Sequence, residues 1–219
     1  MSLARCVVAV DGPSGSGKST VSRRLAKALD ARYLDTGAMY RAATWAVLHA
    51  GVDLADHEAI VKVVIDTEIT IGVDPLRPSM KVNGVSVEQE IRGPEVTAAV
   101  SAVSAVPMVR QLLVARQREI IEQAERIVVE GRDIGMVVAP SADLKVYLTA
   151  SVSERARRRS SEIEADHAST AENLARRDHL DSTRATDPLR QAPDALVIDS
   201  TRMDIDEVVE KLRELLNNA

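Results

Sequence analysis

The chain has 219 residues, 45% of them hydrophobic and 28% charged, with a formal net charge of −5. That composition suits one sizeable globular core and excludes a disordered or fibrous chain. The negative balance argues against a general nucleic-acid binder, which needs a basic surface against phosphate backbones, and a lone cysteine leaves no disulfide framework or thiolate metal cluster.

In chain order, the opening MSLARCVVAV carries too short an apolar run for a secretory signal, and no later stretch approaches the roughly 20 apolar residues of a membrane span. A cytoplasmic, reduced setting is expected, with Cys6 as a small buried strand residue. Cys6 to Val10 is the first of four runs rich in Val, Ile and Leu; the others are Arg126 to Glu130, Leu144 to Leu148 and Ala195 to Ile198. Near-continuous apolar runs of this kind predict a parallel sheet covered on both faces. Helical spacing predicts helices over Thr20 to Leu29, Met39 to Ala50, Met108 to Ala124 (opened by Pro107) and Ile205 to Leu216, with Asp204 as N-cap. The alternation predicts a doubly wound α/β fold.

Two segments break the alternation. Glu68 to Ile91, EITIGVDPLRPSMKVNGVSVEQEI, alternates, holds two prolines and carries Asn83-Gly84, a strong hairpin signal. A small antiparallel sheet inserted into the core is expected there. Ser153 to Arg184 is arginine-rich and acidic by turns with little apolar content, which predicts a solvated flap.

Gly12-Pro13-Ser14-Gly15-Ser16-Gly17-Lys18-Ser19 satisfies G-x-x-x-x-G-K-[ST] directly after a predicted strand and before a predicted helix. Glycines let successive N–H groups point at one anion, and the following helix, entered through Thr20, adds its positive end. Lys18 is placed for β and γ phosphates and the Ser19 hydroxyl for Mg²⁺. No NKxD-type base-reading loop is present, which disfavours a GTP switch, and transfer of a phosphoryl group to a small acceptor remains. Thr36 and Arg41 of LDTGAMYR stand near a helix start, while Arg132 and Asp133 of GRD follow the second buried strand. In an open α/β sheet such strand ends face the ligand crevice. Arg110, Asp181 and Arg184 complete a polar rim, because arginine's planar fork suits phosphate and carboxylate groups. Three readings stay open on the residues alone: a kinase for a small acceptor such as UMP, AMP or shikimate, a nucleotide-binding regulatory module, and a domain that has lost transfer. The four histidines show no metal-ligand spacing.

From end to end the sequence resembles the bacterial cytidylate kinases, through DGPSGSGKST, LDTGAMYRAA, EIRGPEVT, SAVSAVPMVRQLLVARQR, EGRDIG, RRDHLDSTRATDPL and DALVIDST. DTGAMYR, EIRGPEV and RDHLDSTR in that order are close to specific for that family. The resemblance implies a P-loop kinase that phosphorylates CMP and dCMP with Mg²⁺ and ATP, commonly as a monomer, with no nucleic-acid or membrane partner. It implies that Thr36, Arg41, Arg132 and Arg184 hold the acceptor's phosphate, that Ser101, Arg110 and Asp133 bind cytosine, and that Asp181 contacts the sugar. Lys18 and Arg132 are expected at the transferring phosphoryl group together with flap arginines drawn from Arg155, Arg158, Arg159 and Arg177, of which Arg158 and Arg177 are the named candidates. The implied organisation is a single domain over 1–219, with a core of about 1–36, 101–152 and 185–219, a monophosphate-binding region of about 37–100 and a lid of about 153–184. Two positions depart from the family's usual sequence: Thr36 stands where serine is more common, and the flap diverges.

Overall fold

The computed structural model describes residues 5–163 and 166–217. Expectations resting on residues 1–4, 164–165 and 218–219 (the leader question, the middle of the flap, the last two core residues) lie outside the described residues.

Five parallel strands form the central sheet: β1 (Cys6–Asp11), β2 (Arg32–Asp35), β6 (Arg126–Gly131), β7 (Leu144–Thr149) and β8 (Leu196–Asp199), in the order β2-β6-β1-β7-β8. Alternation along each strand splits the core in two. Val8 and Val10 of β1, with Val128, Val146 and Leu148, pack on α1 (Lys18–Ala28) and α8 (Ile205–Asn217) through Val21, Leu25 and Leu212. Val7 and Ala9, with Ile127 and Val129, face α2 (Thr36–His49), α3 (His57–Ile65), α4 (Pro94–Ala105) and α5 (Pro107–Glu122) through Met39, Val47, Ile60, Val103 and Val109. Apolar surface is thus buried on both sides of the sheet, the dominant stabilising term in such a core. Cys6 is a buried strand residue, as expected.

Local chemistry sets the helix starts. Asp35 accepts from Ala38 N at 2.9 Å and caps α2. Pro94 and Pro107 sit at the openings of α4 and α5, where proline's missing N–H costs nothing. Asp204 and Glu207 exchange side-chain to backbone bonds of 2.8 Å each, a reciprocal capping box for α8.

The inserted sheet consists of β3 (Ile69–Ile71), β4 (Met80–Val82) and β5 (Val85–Ser86), all antiparallel. Asn83 at φ 49° and Gly84 at φ 79° make the β4–β5 turn, the left-handed pair that a tight hairpin requires. Its linking loop is tied to the core, where Tyr33 N donates to Val73 O at 2.8 Å and Arg23 Nε to Pro75 O at 3.0 Å.

Five elements differ from the sequence expectation. β2 is a fifth strand; with four residues, opening on exposed Arg32, it lacks an apolar run. α3 and α4 also escaped the periodicity reading. The flap is folded rather than merely solvated: α6 (Val152–Ile163) and α7 (His167–Thr183) pack on each other and bury Ala156 and Leu174. Much of what they bury is polar, including Arg155, Thr170 and Asp181, so a scan for apolar content misses them. No single helix among the described residues is long and apolar enough to cross a membrane.

Candidate active site

The carboxyl ends of β1, β2 and β6 open into one cleft of about 1220 Å³, larger than the 300–1,000 Å³ typical of a single small-ligand pocket. One wall is the loop between β1 and α1. Gly15 and Gly17 take φ of 76° and 89°, and Gly12 at φ 149° lies so close to β7 that a Cβ would stand 2.0 Å from Leu148 O. Lys18 is buried; its Nζ donates to Pro13 O at 2.7 Å and lies 3.4 Å from Ser16 Oγ. Burial and then the charge of Arg132 lower its pKa, against Glu130 and Asp11. Below it, Tyr33 donates to Glu130, whose carboxyl pKa is raised by burial and Asp35 and which also meets the Ser19 side chain.

The facing wall is a cage of buried ions. Arg110, 1% exposed, pairs with Asp133 and, at 2.9 Å, with Asp187; Arg184 donates to Asp187 O at 2.6 Å and lies 3.6 Å from Asp133. Burial raises the Asp133 pKa against the pull of Arg110 and Arg184, so its negative charge depends on those two guanidiniums. The Arg110 Cζ lies 5.4 Å from the Tyr40 ring centroid, within cation–π range. Arg110 Nη1, Arg184 Nη2 and the Tyr40 hydroxyl are buried without a hydrogen-bond partner among the described residues. All three residues line the cleft. Buried polar atoms left so carry a desolvation cost that a ligand with matching groups would relieve.

Between the walls stand arginines. Arg41 donates to Ile91 O at 2.8 Å and Thr97 Oγ1 at 2.9 Å; burial, then Arg177, Arg159 and Arg92, push its pKa down to about 9. Burial and then Arg132 push Arg177 down to about 10. Both remain charged at neutral pH, so the cleft concentrates mutually repelling cations as an anion site does. Arg132 is held by Asp181 at 2.8 Å and donates to Gly12 O at 3.1 Å. The folded flap reaches the loop directly: Arg177 donates to Ser14 Oγ at 3.0 Å, Ser14 N to Asp178 at 3.2 Å, and Arg155 to Ser14 O at 2.9 Å and Asp178 at 2.5 Å. Arg158 bonds Glu154 at 2.8 Å and Ser200 O at 2.7 Å, beside Gly17.

Ser14, Gly15, Ser16, Gly17, Lys18, Ser19 and Thr20 therefore line the cleft, as do Thr36, Arg41, Ser101, Arg110, Arg132, Asp133, Arg158, Arg177, Asp181 and Arg184. Gly12 and Pro13 do not; they stand behind the loop and act through carbonyls that accept from Arg132 and Lys18. The Thr36 hydroxyl donates to Glu130 O at 2.7 Å. Sequence reasoning missed Tyr40, Glu130, Asp178 and Asp187 as parts of the site. All four sit inside stretches already quoted (LDTGAMYRAA, EGRDIG, RRDHLDSTRATDPL), and Asp187 takes a left-handed φ of 47° just before Pro188, a turn signal three residues after Arg184.

A glycine loop between a parallel strand and a helix, with its lysine buried beneath it and arginines converging from the opposite wall, defines a P-loop kinase. The solved shikimate kinase from Acinetobacter baumannii in complex with shikimate shares the fold, with a TM-score of 0.50 at 14% identity over 99% of this chain and 95% of that one. A family model described as cytidylate kinase matches residues 8–218. The cytidylate kinases of Rhodococcus jostii and Nocardia farcinica are 55% and 56% identical, covering 97% and 96% of this chain and 95% and 93% of theirs. The chain belongs to the cytidylate kinase family.

Proposed function

We propose that the chain transfers the γ-phosphoryl group of ATP to CMP or dCMP, giving ADP and CDP or dCDP. The observation that carries this reading is the cage opposite the phosphate loop, where Arg110, Tyr40 and Arg184 hold buried polar atoms without a hydrogen-bond partner among the described residues, around a carboxylate, Asp133. A cytosine edge offers both acceptors and an amino donor, so it can meet guanidinium and carboxylate together. To these we add the Ser101 hydroxyl for the base and Asp181, the partner of Arg132, for the sugar.

The acceptor's phosphate is already an anionic nucleophile, so no strong general base is needed and positioning with charge neutralisation does the catalysis. One of its oxygens attacks the γ phosphorus as the bond to the β–γ bridging oxygen breaks, and ADP leaves with that oxygen. Arg41, Arg132 and Arg184, with Thr36 at the start of α2, orient the acceptor phosphate; Lys18, Arg158 and Arg177 meet the charge that develops on the group in flight. Residues 12–20 hold the donor. The Ser19 hydroxyl, in the first turn of α1 and beside Glu130, would hold the magnesium that accompanies the donor as Mg·ATP, an ion that would neutralise charge on the phosphates. A single domain is the reading the layout supports, with 37–100 as the monophosphate-binding region, 153–184 as a lid that excludes water, and the remainder as core. We read the protein as a cytoplasmic monomer acting on small molecules.

The test is ADP release from Mg·ATP with CMP, dCMP, UMP, AMP, dTMP and shikimate supplied one at a time. Turnover selective for CMP and dCMP is the expected result. Slow hydrolysis indifferent to acceptor would overturn the acceptor assignment and favour a regulatory nucleotide-binding module.

A further inference from the structure

We propose that Asp11 is a positioning residue: from outside the cleft its carboxylate sets where Arg132 and Asp133 stand, and so governs acceptor affinity and base choice.

Asp11 ends β1 and is 3% exposed. Its Oδ1 accepts from Ile134 N and its Oδ2 from Gly135 N, both at 2.8 Å. Those N–H groups open the single π-helical turn Ile134–Val138 that follows Asp133, and the first N–H groups of any helical turn lack partners within it. π-turns recur at functional sites. At the far end of the turn, Arg118 of α5 donates to Val137 O at 2.6 Å and Val138 O at 3.3 Å. The turn is therefore held at both ends by charged side chains. A third tie starts from the next residue, since Gly12 O accepts from Arg132 at 3.1 Å. Position 12 admits no side chain on its β7 side, because a Cβ there would stand 2.0 Å from Leu148 O.

The consequence is a rigid bracket. One strand end carries the phosphate loop forward through its backbone and grips the Arg132–Asp133 segment sideways through its side chain. The donor loop keeps its place through covalent continuity with β1. The Arg132–Asp133 segment depends on Asp11 as well as on β6, so loosening Asp11 falls on the acceptor side. Gly135 belongs to the same contact; a Cβ there would stand 3.4 Å from Asp11 Oδ2 and 3.2 Å from Lys145 Cδ.

A carboxylate that merely ties two strand ends together predicts a different outcome from one that sets the acceptor site. Loss of a purely structural tie lowers the active fraction, hence the apparent kcat, and leaves KM and base choice alone. Asp11→Asn keeps one oxygen but turns an amino group toward the second N–H. We expect the KM for CMP to rise about tenfold, the scale of one lost charge-assisted hydrogen bond, with the ATP KM within about twofold of wild type and the CMP-over-UMP ratio of kcat/KM reduced about tenfold. Gly135→Ala crowds the same contact and should shift the same parameters in the same direction; it decides the matter if Asp11→Asn does not fold. Unchanged CMP KM and unchanged base preference in the folded variant would overturn the inference. It rests on the cytidylate reading, which wild-type turnover tests first: absence of CMP turnover in wild type fails that reading alone, and the same variants are then measured with whichever acceptor the panel returns.

Discussion

Lys18 Nζ lies 2.7 Å from the Pro13 carbonyl in a site where burial and Arg132 both work against its charge. A triphosphate drawn into the loop supplies the opposite charge that favours the ammonium, so donor binding and the charge on Lys18 are coupled. Lys18→Ala is expected to lower kcat by on the order of 10² to 10³, the cost of one aimed donor at developing charge; wild-type kcat would remove Lys18 from the mechanism. Asp133 is a different case. Without its carboxylate, Arg110 and Arg184 face each other with one anion fewer, and Asp187 remains as the partner of both. Asp133→Ala should weaken CMP use far more than ATP binding, measured as CMP KM beside ATP affinity by calorimetry. Equal losses would contradict its assignment to the base. Lys18 was legible in the sequence because the loop motif fixes every neighbour it needs. Tyr40 was not, since an aromatic inside a helix pattern reads as core until its hydroxyl is found buried, without a partner among the described residues, at a cleft wall.

At the scale of elements, the strands that could be read were those carrying a run of Val, Ile and Leu. β1 and β6 feed both cores, β7 feeds one through Leu144, Val146 and Leu148, and β8 was legible from composition alone although Leu196 and Val197 stand exposed at the sheet edge; β2 reveals itself only through its pairing with β6. The same logic hid α6 and α7, whose anchoring is ionic. Asp181 of α7 shows how that anchoring depends on pH. Burial alone would raise its pKa, but the charge and hydrogen bond of Arg132, with Arg177 and Arg184, hold it below the usual carboxylate range. A depressed folded-state value stabilises the fold fully above the unfolded value of about 3.9, and that stability is lost as pH falls through the folded value. Asp11 acts in the opposite sense: burial raises its pKa to about 6, so its ionisation between about 4 and 6 costs stability as pH rises. The two are separated by difference. Asp181→Asn should be less stable than wild type at pH 7 and should lose less stability on acidification below about pH 4, as read by urea denaturation across pH 3 to 7. Parallel curves for the two proteins would show that Asp181 is not held in its ionised form by Arg132.

Over the whole molecule, a net charge of −5 coexists with a cleft where Arg41, Arg132, Arg177 and Arg184 converge. Positive charge arises there by topology: β1, β2 and β6 end at one edge, and the chain between 152 and 184 folds back onto the phosphate loop. Composition could not locate this local field, because residues as far apart as Arg41 and Arg184 meet only once the sheet order is known. The acceptor cage and the donor loop then face each other across one cleft, the arrangement that phosphoryl transfer by positioning requires. The most direct test supplies CMP and UMP together to wild-type protein with Mg·ATP and measures the ratio of CDP to UDP formed. Buried hydrogen-bonding groups discriminate strongly between bases that satisfy them and bases that do not, so CDP should dominate by on the order of 10² or more. Equal formation of CDP and UDP would contradict a cytosine-reading cage built from Arg110 and Asp133.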